Sequence, residues 1–322
     1  MKINVLFLAL SACFASTAYA QDTESYPSKP ITLIVSASPG GTTDLAARMI
    51  AEPLGKSLGQ TIVVENKPGA AGSIAAQQLI KSRADGYTLL LQYSGFQVIT
   101  PSITKVNWDP VKDFKPVANV LSAPQVLVVK KNLPVNTLQE LINYAKERPG
   151  VLNYASSGNG SLQHVTTELL NQMAGIDTVH VPYSGTGPAL TDLIGGSVDF
   201  TITTPPPLLP HIQAGSLKPL VNTSNTKLKS LQDVPTASEA GLPDLLVSSW
   251  FAMYAPADTP DVIVNKLSSE IEKIMATPEY QEKAENLGAT AEYMNSEQLG
   301  KYTEQELARW KQVIESAKIT SN

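Results

Sequence analysis

Strand-like and helix-like segments alternate along this chain in two successive cycles. The strands predicted for the first cycle are 31–36, 61–65 and 87–93, and its predicted helices are 42–58 and 73–81. The second cycle has predicted strands 125–130, 152–155, 179–183 and 198–203, with helices 138–147, 162–173 and 189–194. A strand at 250–255 and helices at 261–275 and 296–316 follow. This order predicts an α/β protein with open, largely parallel sheets, because parallel neighbours need a crossover helix between them.

Two proline-containing stretches bear on this alternation. Pro53 lies within the helix predicted for 42–58. Proline has no backbone N–H and clashes with the preceding turn, so we expect it to kink this helix or end it early. The stretch 204–210, TPPPLLP, is interpreted as a rigid connector.

Two cycles predict two lobes. The chain has 322 residues, enough for two domains of ordinary size, and 43% of them are hydrophobic, enough for a sizeable core. We predict a first lobe from 26–123 plus 222–322 and a second lobe from 124–221. Ligands of such sheets bind beyond the carboxyl ends of the strands, which here places a cleft between the lobes.

The first twenty residues are predicted to be a signal peptide. Met1-Lys2 gives a positive start, 3–10 is almost wholly apolar, and Ala18-Tyr19-Ala20 supplies the small residues of a cleavage site. Export to the periplasm is therefore expected. The stretch ending at Cys13 resembles a lipoprotein box, but cleavage there would leave a very short signal, so lipid anchoring is the less favoured alternative.

Charge and cysteine usage exclude several kinds of site. The net charge is −5 and no basic stripe is present, which argues against nucleic acid as a partner. Cys13 is the only cysteine, so the mature chain has no disulfide and no thiol nucleophile. The histidines His164, His180 and His211 lack the spacing of a metal site. We therefore expect neither a metal nor a cofactor.

Three strand–loop–helix junctions are rich in glycine, serine and threonine. They are the first loop, 38–44 (SPGGTTD), the second loop, 156–161 (SSGNGS), and the third loop, 183–188 (YSGTGP). Each offers N–H and hydroxyl donors at the positive end of a helix dipole, although N-caps and left-handed turns have the same composition. Opposed across a cleft, the loops would hold a carboxylate in a chain that has only four arginines.

Six stretches of this sequence together resemble the Bug family of periplasmic solute-binding proteins, which are associated with tripartite tricarboxylate transporters. The stretches are YPSKPITLIVSASPGGTTDLAARMIAEPLGKSLGQTIVVENKPGAAG, DGYTLLL, WDPVKDFKPVANV, NYASSGNGSLQH, VHVPYSGTGPALTDLIGGSVDF and DVPTASEAGLPDLLVSSWFAMYAPADTP. The resemblance implies a two-lobed periplasmic-binding-protein type II fold, with an α/β sheet and flanking helices in each lobe and the ligand cleft between them. It also implies a monomer that closes on a small organic carboxylate and docks to an integral membrane permease.

The resemblance also implies which residues bind the ligand. In the family, the first and second loops hold a ligand carboxylate and the third loop lines the cleft. The ligand-binding residues predicted here are Ser38, Gly40, Gly41, Thr42, Thr43, Asp44, Ser94, Phe96, Ser156, Ser157, Gly158, Asn159, Gly160, Ser161, His164, Tyr183, Gly185, Thr186 and Thr203.

One departure from the family bears on the class of ligand. Many relatives have aspartate where this chain has Thr203. An ammonium group is normally met by a carboxylate, so this change favours a ligand without positive charge. A dicarboxylate is expected, or an aromatic carboxylate if Phe96 and Phe200 both face the cleft.

Two other functions are kept as alternatives. The chain could be the ligand-binding partner of a membrane sensor kinase. A secreted hydrolase would use Ser157 or Ser161 with His164, but the chain has no G-x-S-x-G motif, and serine and histidine one helical turn apart also fit an N-cap. Binding without catalysis is therefore the prediction.

Overall fold

The computed structural model describes residues 26–316 and 319–320, so the predicted signal peptide and Cys13 lie outside the described residues. Among the described residues the strands, in chain order, are β1 (Ile31–Val35), β2 (Ile62–Asn66), β3 (Thr88–Tyr93), β4 (Phe114–Pro124), β5 (Val126–Lys130), β6 (Asn153–Ser156), β7 (Val179–Pro182), β8 (Phe200–Thr203), β9 (Leu217–Asn222) and β10 (Ser248–Pro256). They form two five-stranded sheets, in the orders β2-β1-β3-β10-β4 and β7-β6-β8-β5-β9.

Both sheets are mixed: four of the five strands in each run in the same direction, as expected, and one strand in each runs the opposite way. In the first sheet β2, β1 and β3 are parallel, while β10 is antiparallel to both β3 and β4. The second sheet repeats this pattern, with β7, β6 and β8 parallel and β5 antiparallel to β8 and β9. The antiparallel strands adjoin the chain crossings between the sheets, and such crossings do not impose the parallel direction that a helical crossover does.

Helices flank the sheets. They are α1 (Thr42–Leu58), α2 (Ser73–Ile80), α3 (Thr100–Ile103), α4 (Leu138–Glu147), α5 (Leu162–Ala174), α6 (Thr186–Gly195), α7 (Leu209–Gln213), α8 (Asp261–Met275), α9 (Pro278–Asn286) and α10 (Ser296–Ser316). The helix α1 continues through Pro53 to Leu58, so the expected early end is wrong. Buried Ile50 and Leu54 flank the proline and hold both halves of the helix against the core, which offsets one lost hydrogen bond.

Each sheet has its own hydrophobic core. The first core contains the fully buried side chains of Trp250 and Tyr254. The core of the second sheet includes Leu231 and Leu245, which lie beyond the predicted boundary at residue 222. The structure thus packs part of the predicted first lobe against the second sheet, and the division of the chain into lobes stays a prediction.

The chain passes between the two sheets at closely adjacent points. Only Gln125 separates β4 from β5. Its N–H donates to Thr223 Oγ1 at 2.9 Å, and the N–H of Thr223 donates to Gln125 O at 2.8 Å. Val247 N donates to Thr223 O at 3.1 Å just before β10 begins. Few residues therefore connect the lobes, which is the arrangement that a hinge requires.

Candidate functional site

A small cavity lies where the glycine loops of the two lobes meet. This inner cavity has a volume of about 20 Å³, close to the space that one water molecule needs. Seven of the predicted site residues line it: Gly41, Thr42, Thr43, Phe96, Ser157, Thr186 and Thr203. The structure therefore brings together parts of all three loops, although they are far apart in the sequence.

A larger cavity lies on the other side of Phe96 and Ser157, which line both spaces. This outer cavity has a volume of about 560 Å³, within the range of small-molecule sites. Predicted residues Gly158, Asn159 and Tyr183 line it from the second lobe. The inner and outer cavities together form the interlobe cleft.

The start of α1 forms the positive side of the inner cavity. Gly41 is the N-cap residue, with an extended backbone and no side-chain hydrogen bond to the helix. The residues that carry the first N–H groups, Thr42 and Thr43, line the cavity. The first N–H groups of a helix have no partner within it and form the positive end of its dipole, so they stabilise an anion.

Asp44 shapes the first loop and does not line either cavity. Its carboxylate accepts hydrogen bonds from Gly40 N at 3.1 Å and from Asn66 Nδ2 at 3.0 Å. The guanidinium of Arg48 lies 3.0 Å from Oδ1. Gly40 has φ +82°, a left-handed backbone that glycine adopts at little cost. The acidic group thus orders the loop and is itself neutralised by Arg48.

Most N–H groups of the second loop are bonded within the second lobe. Ser157 N donates to Gln163 Oε1 at 2.6 Å, and Gly158 N donates to Ser156 Oγ at 3.1 Å. Gly160 N donates to His164 Nδ1 at 3.2 Å. Ser161 caps α5 by accepting from His164 N at 3.3 Å. The Ser157 hydroxyl of this loop is buried and lies at the cavity, beside the hydroxyl of Tyr93. No hydrogen bond of ordinary geometry joins it to a described residue.

Gln163 joins the second loop to the third and was not predicted from the sequence. Its Oε1 accepts from Ser157 N at 2.6 Å, while its Nε2 donates to Thr186 Oγ1 at 2.9 Å and to Thr203 Oγ1 at 2.6 Å. The side chain is buried and lines the inner cavity. No sequence signal marked it, because a glutamine in the first turn of an amphipathic helix is ordinarily solvated.

Further residues of the inner cavity come from outside the predicted loops. They are Ala37, Tyr93, Gln125, Thr204, Ser249 and Phe251. Tyr93 Oη accepts from Leu162 N at 2.7 Å, which leaves its own proton available for an acceptor in the cavity. Burial raises the pKa of Tyr93 to about 12, so the hydroxyl keeps this proton at neutral pH.

The lobes contact each other directly where the first loop meets the third loop and Thr204. Ser38 Oγ donates to Ser184 O at 3.0 Å, and Thr42 Oγ1 lies 2.5 Å from Thr204 Oγ1. A β-carbon on Gly185 would lie 2.9 Å from Ser38 N, so only glycine permits this approach. We call these interactions the closure contact. Ser38 and Gly185 thus join the lobes and do not line either cavity.

The remaining predicted residues brace the site. Ser94 Oγ accepts from Trp250 N at 3.3 Å, and Gly160 O accepts from Thr100 Oγ1 at 3.2 Å. Phe200 is fully buried among the residues that pack against the second sheet, so it does not supply the aromatic wall considered from the sequence.

Two histidines stack beneath the second loop. The rings of His164 and His180 lie 4.1 Å apart between centroids and are nearly parallel, at 8°. Burial lowers the pKa of His164 to about 4. Burial, together with the neighbouring His164, lowers the pKa of His180 to about 3. Both rings are therefore neutral at pH 7, and Nδ1 of His164 serves as the acceptor for Gly160 N.

Acidification is expected to destabilise the protein through this pair. Between about pH 6.5 and pH 4 the unfolded chain binds protons on these rings and the folded chain does not, so the free energy of unfolding falls as the pH falls. The loss in the free energy of unfolding approaches about 3 kcal/mol for His164 alone.

Urea unfolding at pH 7 and pH 4.5 measures this loss of stability. His164→Asn, which keeps an acceptor for Gly160 N–H, should flatten the dependence, and His211→Asn should not. An equal pH dependence in all three proteins would contradict the assignment.

The serine–histidine contacts of the second loop lack a catalytic arrangement. Ser156 Oγ lies 2.6 Å from His180 Nε2, but Nδ1 of that ring has no partner among the described residues. A ring whose pKa is near 3 is a weak base at neutral pH. Ser161 and His164 contact each other as an N-cap pair, through the backbone N–H of His164.

The described residues form neither a metal site nor a membrane-spanning helix. Within 26–316 and 319–320 no group of three or more histidine, cysteine or acidic side chains could hold a metal ion. No helix in the described part of the chain has the length and apolar character needed to cross a bilayer.

Comparisons with known proteins identify the family. Residues 46–319 match the model of TctC, the tripartite tricarboxylate transporter family receptor. Protein BugT of Bordetella pertussis is 37% identical over 296 residues, covering 90% of this chain and 90% of BugT.

Solved structures agree with this assignment. Rpa4515 of R. palustris with adipate has a TM-score of 0.89 and 36% identity, covering 92% of this chain and 99% of that chain. MatC (Rpa3494) from Rhodopseudomonas palustris with bound malate has a TM-score of 0.85 and 33% identity, covering 90% of this chain and 100% of that chain. The periplasmic binding protein BugD has a TM-score of 0.87 and 32% identity, covering 92% of this chain and 100% of BugD. The resemblance to Bug proteins and the two-lobed fold are thereby confirmed, and the chain belongs to the tripartite tricarboxylate transporter family of receptors.

Proposed function

We propose that this receptor binds a small organic carboxylate without catalysis, with one carboxylate group in the inner cavity. The observation that carries the proposal is the set of donors there. The first turn of α1, the unpartnered Ser157 hydroxyl and the Tyr93 hydroxyl all adjoin the cavity. No acidic side chain lines it among the described residues. Such a neutral, donor-rich space favours an anion over a cation or a zwitterion.

The solved relatives support this proposal. Rpa4515 was solved with adipate and MatC with malate, and both acids carry carboxylates. Many relatives have aspartate where this chain has Thr203, whose side chain is neutral. The Thr203 hydroxyl accepts a hydrogen bond from Gln163 Nε2. We further propose export to the periplasm by the 1–20 signal peptide and delivery of the ligand to a membrane permease, as the family's role implies.

Calorimetric titration of the mature protein with adipate, malate, succinate, benzoate and aspartate tests the proposal. We expect one-to-one binding of a dicarboxylate, with aspartate weaker because its ammonium group meets no carboxylate. Ser157→Ala should lower the affinity about 5- to 30-fold, as expected for a lost hydrogen bond to a charged group. Ser216→Ala, outside both cavities, is the matched control. Tightest binding of aspartate, or no effect of Ser157→Ala, would contradict the site.

A further inference from the structure

The inner cavity has room for one end of a ligand only. Its volume of about 20 Å³ is only slightly larger than the space that one water molecule needs. The outer cavity, of about 560 Å³, shares Phe96 and Ser157 with it as common walls. A ligand with one carboxylate in the inner cavity would therefore extend past Phe96 into the outer cavity.

The wall between the cavities is tightly packed. Phe96 is buried and packs edge-on against Tyr93, with ring centroids 4.6 Å apart. On its other side lies Gly72, where a β-carbon would come within 2.7 Å of the Phe96 ring. The apolar ring thus has a fixed position beside the passage, which suits the methylene chain of a ligand.

The outer cavity carries one charged side chain. Among the described residues that line either cavity, Lys105 is the only one with a charge. It is exposed and forms no ion pair or hydrogen bond with any described residue. By contrast, nearby Lys112 lies 3.7 Å from Asp109. An unpaired ammonium at the edge of a cavity without acidic residues attracts an anionic group.

We propose that Lys105 determines specificity by binding the distal anionic group of an extended dicarboxylate. The ligand would span both cavities, with its proximal carboxylate at α1 and its distal carboxylate at the Lys105 ammonium. The inference rests on the proposed function and adds to it the ligand's second charge and the residue that recognises it.

Titration of Lys105→Met with adipate and with hexanoate tests the inference. The two acids have chains of equal length, but only adipate has a distal carboxylate. We expect the substitution to weaken adipate binding about 3- to 5-fold and to leave hexanoate binding within twofold of the wild type. Lys105→Arg should retain the preference for adipate, and Lys112→Met should change neither affinity. Higher ionic strength should reduce the adipate preference of the wild type, because an exposed ion pair is screened.

The outcomes separate this inference from the proposed function. If both acids bind and Lys105→Met weakens them equally, or changes neither, the distal site is wrong and the receptor proposal stands. If neither acid binds the wild type, the proposed function fails for these acids and the inference fails with it.

Discussion

Gly187→Ala is expected to abolish most of the ligand affinity while leaving the fold intact. Gly187 is the second residue of α6, and a β-carbon there would overlap the carbonyl oxygen of Pro39 in the other lobe. That oxygen belongs to the backbone of the first loop, which Asp44 holds in place, so it cannot move aside cheaply. Overpacking of this kind costs about 1–3 kcal/mol, or roughly 5- to 150-fold in affinity.

The same substitution should not weaken the second lobe itself. Alanine is a better helix former than glycine by up to about 1 kcal/mol. The φ angle of Gly187 is not positive, so alanine can adopt the same backbone conformation. Gly195→Ala is the matched control, because it lies in the same helix and a β-carbon there meets nothing within 4 Å. Small-angle scattering with ligand should show a larger radius of gyration for Gly187→Ala than for the control. Equal affinities in the two variants would show that the close approach of Gly187 to Pro39 is not needed for binding.

Gln163→Met is expected to reduce both stability and affinity. Methionine fills a similar volume but cannot bond Ser157 N, Thr186 or Thr203, so buried polar groups lose their partners. We expect a loss of about 2–4 kcal/mol in the free energy of unfolding. The affinity should fall roughly 10- to 100-fold, because the second and third loops lose their common anchor. Gln139→Met, on the exposed face of α4, is the control.

Gln163→Glu distinguishes an anionic ligand from a neutral one. Glutamate still accepts from Ser157 N, and the two threonine hydroxyls can donate to it, so the fold should keep more stability than in Gln163→Met. The added negative charge beside the inner cavity should nevertheless weaken carboxylate binding further. Denaturant unfolding and titration, compared between the two variants, measure these effects. Carboxylate affinity that is unimpaired in Gln163→Glu would argue against an anion in the inner cavity.

The helices that the sequence predicted most closely carry local signals. The predicted bounds of α1, α4, α8 and α10 agree with the structure. In α4 these signals are a capping residue and a hydrophobic period: Thr137 Oγ1 accepts from Glu140 N, and the buried positions recur at helical spacing. Capping and periodicity depend on residues within a few positions of one another, so they are present in the sequence itself.

Two strands that were not predicted each contain a proline. β4 contains Pro116 and β9 contains Pro219, and proline within a run argues against a strand. In the structure both strands lie at sheet edges, and each proline adjoins a shift in strand register. An edge or an irregular register tolerates a missing N–H, but only the assembled sheet shows which strand is at the edge.

The sequence by itself determined the α/β class, the family and the three loops that meet at the cleft. It could do so because strand order, loop composition and the stretches shared with Bug proteins are all local patterns. Only the tertiary structure decided which loop groups remain free to bind. The N–H of Ser157 is bonded by Gln163 and the carboxylate of Asp44 by Asn66, whereas the Ser157 hydroxyl is left without a partner. A donor is available to a ligand only when no other part of the folded chain has satisfied it, and that depends on contacts between residues distant in sequence.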